Sequence, residues 1–140
     1  MSKPTLLLIH GAWHRADSWD PIVPLLKAQG YAVATVELPS SGAKLGAATH
    51  LAEDCSAIRR ALESIEGPVV IVAHSYGGIP TANSLYGLED KVKGLVYLCA
   101  FMLEVGTSLI DNLTMQGKWI RRQVTSLLVL CYTYPYNSSH

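Results

Sequence analysis

The chain has 140 residues, 49% apolar and 16% charged, which is one domain's worth of sequence with enough apolar content for a sizeable core and too much for a disordered chain. Its 11 Lys and Arg balance 11 Asp and Glu, so the totals give no electrostatic footprint for nucleic acid or an anionic membrane surface, and a small molecule is the expected partner. Cys55, Cys99 and Cys131 are odd in number and contain no C-x-x-C pair, which argues against a disulfide framework and a zinc site alike.

Met1-Ser2-Lys3-Pro4 leads into an apolar run too short for a signal-peptide core or a membrane span, so a cytoplasmic chain is expected, and the sequon Asn137-Ser138-Ser139 carries no weight on that reading. Thr5 to Ile9 is a short continuous apolar run, the signature of a buried parallel strand, and it ends at His10-Gly11. The segment from Ala12 to Asp20 reads as a loop into a helix, with Ser18 as cap, Pro21 in the first turn, Ile22, Leu25 and Leu26 as the apolar face and Gly30 as the stop. Tyr31 to Val36 is a second strand, closed by Glu37-Leu38-Pro39 and a loop at Ser40-Ser41-Gly42.

Thr49 to Glu66 carries the clearest helical period, because Leu51, Cys55, Ile58, Leu62 and Ile65 recur at spacings of four, three, four and three. Thr49 is the expected cap, Glu53, Asp54, Arg59, Arg60 and Glu63 the solvated side, and Gly67-Pro68 the terminator. Val69 to Gly78 then runs Val-Val-Ile-Val-Ala-His-Ser-Tyr-Gly-Gly, an aliphatic strand that breaks into a serine flanked by small residues. Such a pattern reads as a nucleophile elbow, in which bulky neighbours would force strand and helix apart, although Ala73 stands where the usual motif has glycine. Taken alone, the five residues around Ser75 fit equally an ordinary strand-to-helix turn with a capping serine. A helix from Gly77 to about Leu88 with Pro80 in its first turn, and a fourth strand from Val92 to Phe101, complete the readable elements.

Alternating strands and helices with connections long enough for right-handed crossovers make an α/β fold, a doubly wound, mostly parallel sheet of about four strands. Ligands on such sheets bind beyond the carboxyl ends of the strands, where both His10-Gly11 and Ser75 fall. Neither a Walker loop nor Gly-x-Gly-x-x-Gly follows a strand, and no cofactor is expected. His10 and His14 have a ligand-like spacing, but Gly11 and the strand end keep them off one helical face, so no metal is expected. Trp13 and Trp19 read as core or pocket wall.

His10-Gly11-Ala12-Trp13-His14, Trp19 and Ala73-His74-Ser75-Tyr76-Gly77-Gly78 together resemble the amino-terminal half of the α/β-hydrolase superfamily, from about Thr5 to about Leu109. Within it the chain is most similar to the small esterases related to plant methylesterases and hydroxynitrile lyases. The resemblance implies that Ser75 is a nucleophile toward a small-molecule ester, that the backbone N–H groups of Ala12 and Tyr76 form an oxyanion hole, and that His10, Gly11, His74, Gly77 and Gly78 are structural members of the two motifs. It also implies strands in the spatial order second, first, third, fourth.

In that family the acid and the histidine follow the serine in the chain, yet of the 5 histidines only His140, in the tail after Tyr-Pro-Tyr-Asn-Ser-Ser, follows Ser75. Glu104 and Asp111 read more simply as loop and helix-cap residues. The expectation is therefore a carboxylesterase-like hydrolase with an incomplete triad in residues 1–113 and a divergent tail in 114–140, where Thr125 to Tyr132 is apolar enough for an extra strand. The alternatives are an inactive, truncated hydrolase or binding module, and hydroxynitrile-lyase-like chemistry. An uncovered fourth strand would be an exposed sheet edge inviting self-association.

Overall fold

The computed structural model describes residues 3–42 and 50–103. The apolar runs become four parallel strands, β1 (Thr5–Ile9), β2 (Val33–Val36), β3 (Val69–His74) and β4 (Val92–Leu98), in the spatial order β2-β1-β3-β4 that the motifs predict. Parallel neighbours cannot be joined by hairpins, so each pair is linked by a crossover. These carry the helices α1 (Val23–Ala28), α3 (Leu51–Ser64) and α4 (Gly78–Ser84), with α2 (Pro39–Gly42) a single turn after β2.

Consecutive strand residues face opposite sides of a sheet, and in β1 Leu7, Leu8 and Ile9 are all buried, so this inner strand is covered on both faces. β3 alternates instead: Val69, Ile71 and Ala73 are buried while Val70, Val72 and His74 are half-buried. The buried set packs with Leu7, Ile9, Val36 and Leu38 against Ile58 and Leu62 of α3 to form the core.

Several boundaries and faces differ from the sequence reading. In α1 Ile22 and Leu25 are exposed at 41% and 66%, while Val23 and Leu26 are half-buried. The two pairs lie about 100° apart around the helix, and one short helix presents only one of them to the sheet. α3 begins at Leu51 with His50 as its cap residue, and the Glu53 carboxylate accepts the His50 N–H at 2.7 Å. Its buried stripe is Asp54, Ile58 and Leu62, so Asp54 lies inside rather than on the solvated side, and Leu51 is 41% exposed. Ser40-Ser41-Gly42 belongs to the turn α2 rather than to an open loop, and β2 begins at Val33.

α4 stops at Ser84 instead of Leu88, because the Arg59 guanidinium donates to the carbonyls of Ser84 and Tyr86 and Gly87 turns the chain at a φ of 75°. β4 ends at Leu98, before Cys99 with its φ of 46°. Among the described residues β4 pairs only with β3. Thr49, Glu104, Asp111, His140, the tail 114–140 and its Thr125 to Tyr132 segment lie outside the described residues.

The burial pattern separates two leucines of similar helical setting. Leu62→Ala, in the core, is expected to cost about 2–5 kcal/mol, and Leu25→Ala about 0.5 kcal/mol or less. Urea unfolding of both variants measures this, and equal losses would show that α1 buries the face the sequence assigns to it.

Candidate functional site

The centre of the site is the end of β3. His74 is still extended, at φ −104° and ψ 133°, and Ser75 then reverses to a φ of 52°, a left-handed conformation that costs an L-residue about 1–2 kcal/mol. A short 3₁₀ turn over Ser75–Gly77 leads into α4, and the Ser75 carbonyl accepts the Phe101 N–H at 3.0 Å. The turn is half-buried and faces the carboxyl edge of the sheet, where the sequence places it. The reversed backbone separates it from an ordinary capping serine, which keeps an extended conformation.

The two glycines after the serine are there for close approach. A methyl on Gly77 would sit 2.6 Å from the His10 carbonyl oxygen, and one on Gly78 would collide with the Phe101 carbonyl oxygen. The start of α4 is thus wedged between the end of β1 and the chain beyond β4.

The loop after β1 abuts this turn. His10 is buried; its Nε2 accepts the Leu38 N–H at 3.0 Å and its Nδ1 lies 2.9 Å from the Gly11 carbonyl oxygen, which together fix the tautomer as Nδ1–H. The ring therefore ties the ends of β1 and β2 together. A methyl on Gly11 would meet both His74 Nδ1 and Ser75 Cβ at 2.9 Å, so Gly11 lies beside Ser75, with the half-buried Ala12 next in the chain. His14 Nδ1 donates to the Ala12 carbonyl at 2.9 Å and curls the loop. Trp13, at a φ of 60°, is 96% exposed among the described residues, so it is neither core nor covered pocket wall.

His74 is packed among rings, with His14 at 5.8 Å and Trp19 at 6.5 Å, both edge-on. Burial, and then the neighbouring His14 and His10 imidazoles, hold its pKa below the usual histidine range and favour the neutral ring. Trp19 Nε1 is buried without a hydrogen-bond partner among the described residues.

Sequence reasoning missed Asp54. Its Oδ1 accepts the Ser40 N–H at 2.9 Å, and its Oδ2 accepts the Ser40 hydroxyl at 2.5 Å and the Tyr76 hydroxyl at 2.7 Å. Burial, then the bond to Asp54 and its charge, pushes the Tyr76 phenol up to about 12, so it stays a donor. The available signal was phase: Asp54, Ile58 and Leu62 form an i, i+4, i+8 stripe, and a carboxylate in an apolar stripe is buried with partners or not at all.

Among the described residues no His, Asp or Glu side chain hydrogen-bonds Ser75, and no group of three or more His, Cys, Asp and Glu is placed to hold a metal ion. No described helix is long and apolar enough to cross a membrane. Comparison with known proteins then decides the family: the profile of the Alpha/beta hydrolase family matches residues 6–137. The chain belongs to the α/β-hydrolase family.

Among its α/β-hydrolase relatives, a probable hydrolase of Phoma sp. is 36% identical, over 84% of this chain and 50% of its own. Methylesterase 4 of Arabidopsis thaliana is 34% identical, over 72% and 41%. A crystal structure of a pyrethroid hydrolase from Sphingobium faniae superposes with a TM-score of 0.66 at 30% identity, covering 75% of this chain and 43% of that one. The chain thus spans about half the length of the curated relatives it matches.

The strain at Ser75 has a measurable sign. Ser75→Gly and Ser75→Ala both remove the hydroxyl, but only glycine is relaxed at a φ of 52°. After allowing for the extra freedom of glycine in the unfolded chain, Ser75→Gly is expected to be about 0.5–1 kcal/mol more stable than Ser75→Ala. Thermal or urea unfolding of the pair checks this, and an alanine variant of equal or greater stability would mean the turn is unstrained.

Proposed function

We propose that this α/β-hydrolase chain carries the nucleophile and oxyanion hole of a carboxylic-ester hydrolase, with Ser75 attacking the ester carbonyl. The observation that carries the proposal is the left-handed Ser75 turn lying against Gly11, where a methyl would meet Ser75 Cβ at 2.9 Å; the peptide N–H groups of Ala12 and Tyr76, next in the chain after Gly11 and Ser75, are the proposed oxyanion donors. Fixed N–H donors stabilise the charge on a tetrahedral intermediate without reorganising as it develops, an effect of about 3–4 kcal/mol per donor. Relatives that include a plant methylesterase support an ester as the substrate class.

Attack by Ser75 requires a base to take the hydroxyl proton. Both ring nitrogens of His10 are engaged, and His74 precedes the serine on the strand with its ring against His14 and Trp19. Neither is placed to serve, and His140 is the only histidine after Ser75. The same observation favours a second reading for residues 1–140 alone, a pocket that binds a carbonyl or an anion without turnover. Enzymes that lose a triad member keep about a 10³- to 10⁴-fold advantage over water, from the oxyanion hole and binding.

Treatment of the purified 140-residue chain with a fluorophosphonate, followed by peptide mass spectrometry, tests the proposal. Slow, substoichiometric labelling confined to Ser75 is expected, with Ser75→Ala abolishing the adduct and barely changing the residual rate on p-nitrophenyl acetate. Adducts at other hydroxyls with Ser75 untouched would defeat the assignment of the nucleophile. Rapid stoichiometric labelling at Ser75 would defeat the missing-base argument and make His140 the next residue to replace.

A further inference from the structure

We infer that Asp54 is a positioning residue for the nucleophile turn: by holding the Tyr76 hydroxyl, its buried carboxylate fixes the orientation of the Ser75–Tyr76 peptide. The inference rests on the proposed role of the Tyr76 N–H as an oxyanion donor, and its own argument is geometric. That peptide is set by the ψ of Ser75 and the φ of Tyr76, and its first residue sits in a left-handed conformation that persists only where the surroundings over-determine it. Gly77, Gly78 and the Phe101 N–H restrain the turn from the helix and from β4. The Tyr76 ring packs against the core, and its hydroxyl is held by the 2.7 Å bond to Asp54 Oδ2.

Asp54 is itself buried and held from two sides. It lies one turn before Ile58 and two before Leu62, both fully buried in the core, and Ser40 holds it through two bonds, to Oδ1 and Oδ2. The line Ser40–Asp54–Tyr76 therefore joins the turn after β2, the longest helix and the nucleophile turn. A packing role alone does not call for a carboxylate, because removing one from water costs several kcal/mol and an apolar side chain would fill the stripe without that cost. What a carboxylate supplies is acceptors for three donors at once, and none of its described partners is a cation. Asparagine has the same shape, but its amide nitrogen can donate in turn to both hydroxyls, so leucine is the change that removes the acceptors.

The test uses the full chain, unaltered and as Asp54→Leu, Tyr76→Phe and the double variant, with two readouts. In protein labelled with [¹⁵N]tyrosine, the Tyr76 amide is identified by its loss in Tyr76→Phe. In Asp54→Leu that amide is expected to shift or broaden while the Tyr31 amide, ahead of β2, stays in place. In fluorophosphonate labelling well below the melting temperature, kinact at Ser75 is expected to fall about tenfold in each single variant with KI unchanged. The double variant is expected to fall no further, since both changes cut one link.

A merely structural Asp54 would lower the melting temperature and leave kinact of the folded protein where it was. An unmoved Tyr76 amide, or an unchanged kinact in both single variants, overturns the inference. If Ser75 of the unaltered chain takes no label at all, the ester-hydrolase reading fails instead, and the amide readout still decides whether Asp54 positions the turn.

Discussion

A serine at a φ of 52° survives because its neighbours leave the backbone nowhere else to go. Behind it, Gly77 and Gly78 have no side chain and press against the carbonyls of His10 and Phe101. In front, Gly11 brings the loop after β1 into contact with Ser75 and His74. The Phe101 N–H takes the Ser75 carbonyl, and Tyr76 reaches across to α3. The strain is local and of order 1–2 kcal/mol, while the contacts around it come from the end of β1, from β4 and the chain beyond it, and from the long helix.

Such convergence depends on strand order. With β1 and β3 adjacent and parallel, Ile9 is paired with Ala73, and the residues that follow each strand emerge side by side at the same edge. Any order that separated β1 from β3 would move the His10-Gly11 loop away from Ser75 by a further strand's width or more. The apolar core therefore has a functional consequence: Leu7, Ile9, Ile71, Ala73, Ile58 and Leu62 set the register that brings two loops, far apart in sequence, within contact distance.

Polar groups near the site are partnered in ways that also fix their form. His10 accepts an N–H at one nitrogen and lies against a carbonyl at the other. His74, desolvated beside two other imidazoles, is biased toward the neutral ring. Asp54 gathers three donors, and Tyr76 keeps its proton to about 12. The polar groups around the turn are thus held in fixed hydrogen-bonding roles.

From the sequence alone, the fold class was legible because continuous β-branched runs, a helix of clean period and short punctuating turns are local signals that tertiary structure rarely overrides, while the strand order came with the resemblance that the two motifs carry. The family followed from the same residues. Hidden in the sequence was which face of each helix would be used: Leu25 and Leu51 look as apolar as Leu26 and Leu62, and only the docking of α1 and α3 on the sheet selects between them. Asp54 was misplaced on the solvated side for a related reason. Whether a carboxylate belongs outside or inside depends on donors supplied by Ser40 and Tyr76, fourteen and twenty-two residues away. Helical phase sets Asp54 in line with Ile58 and Leu62 but carries no information about partners at that distance, and the tertiary structure alone brings them to the same three-donor site.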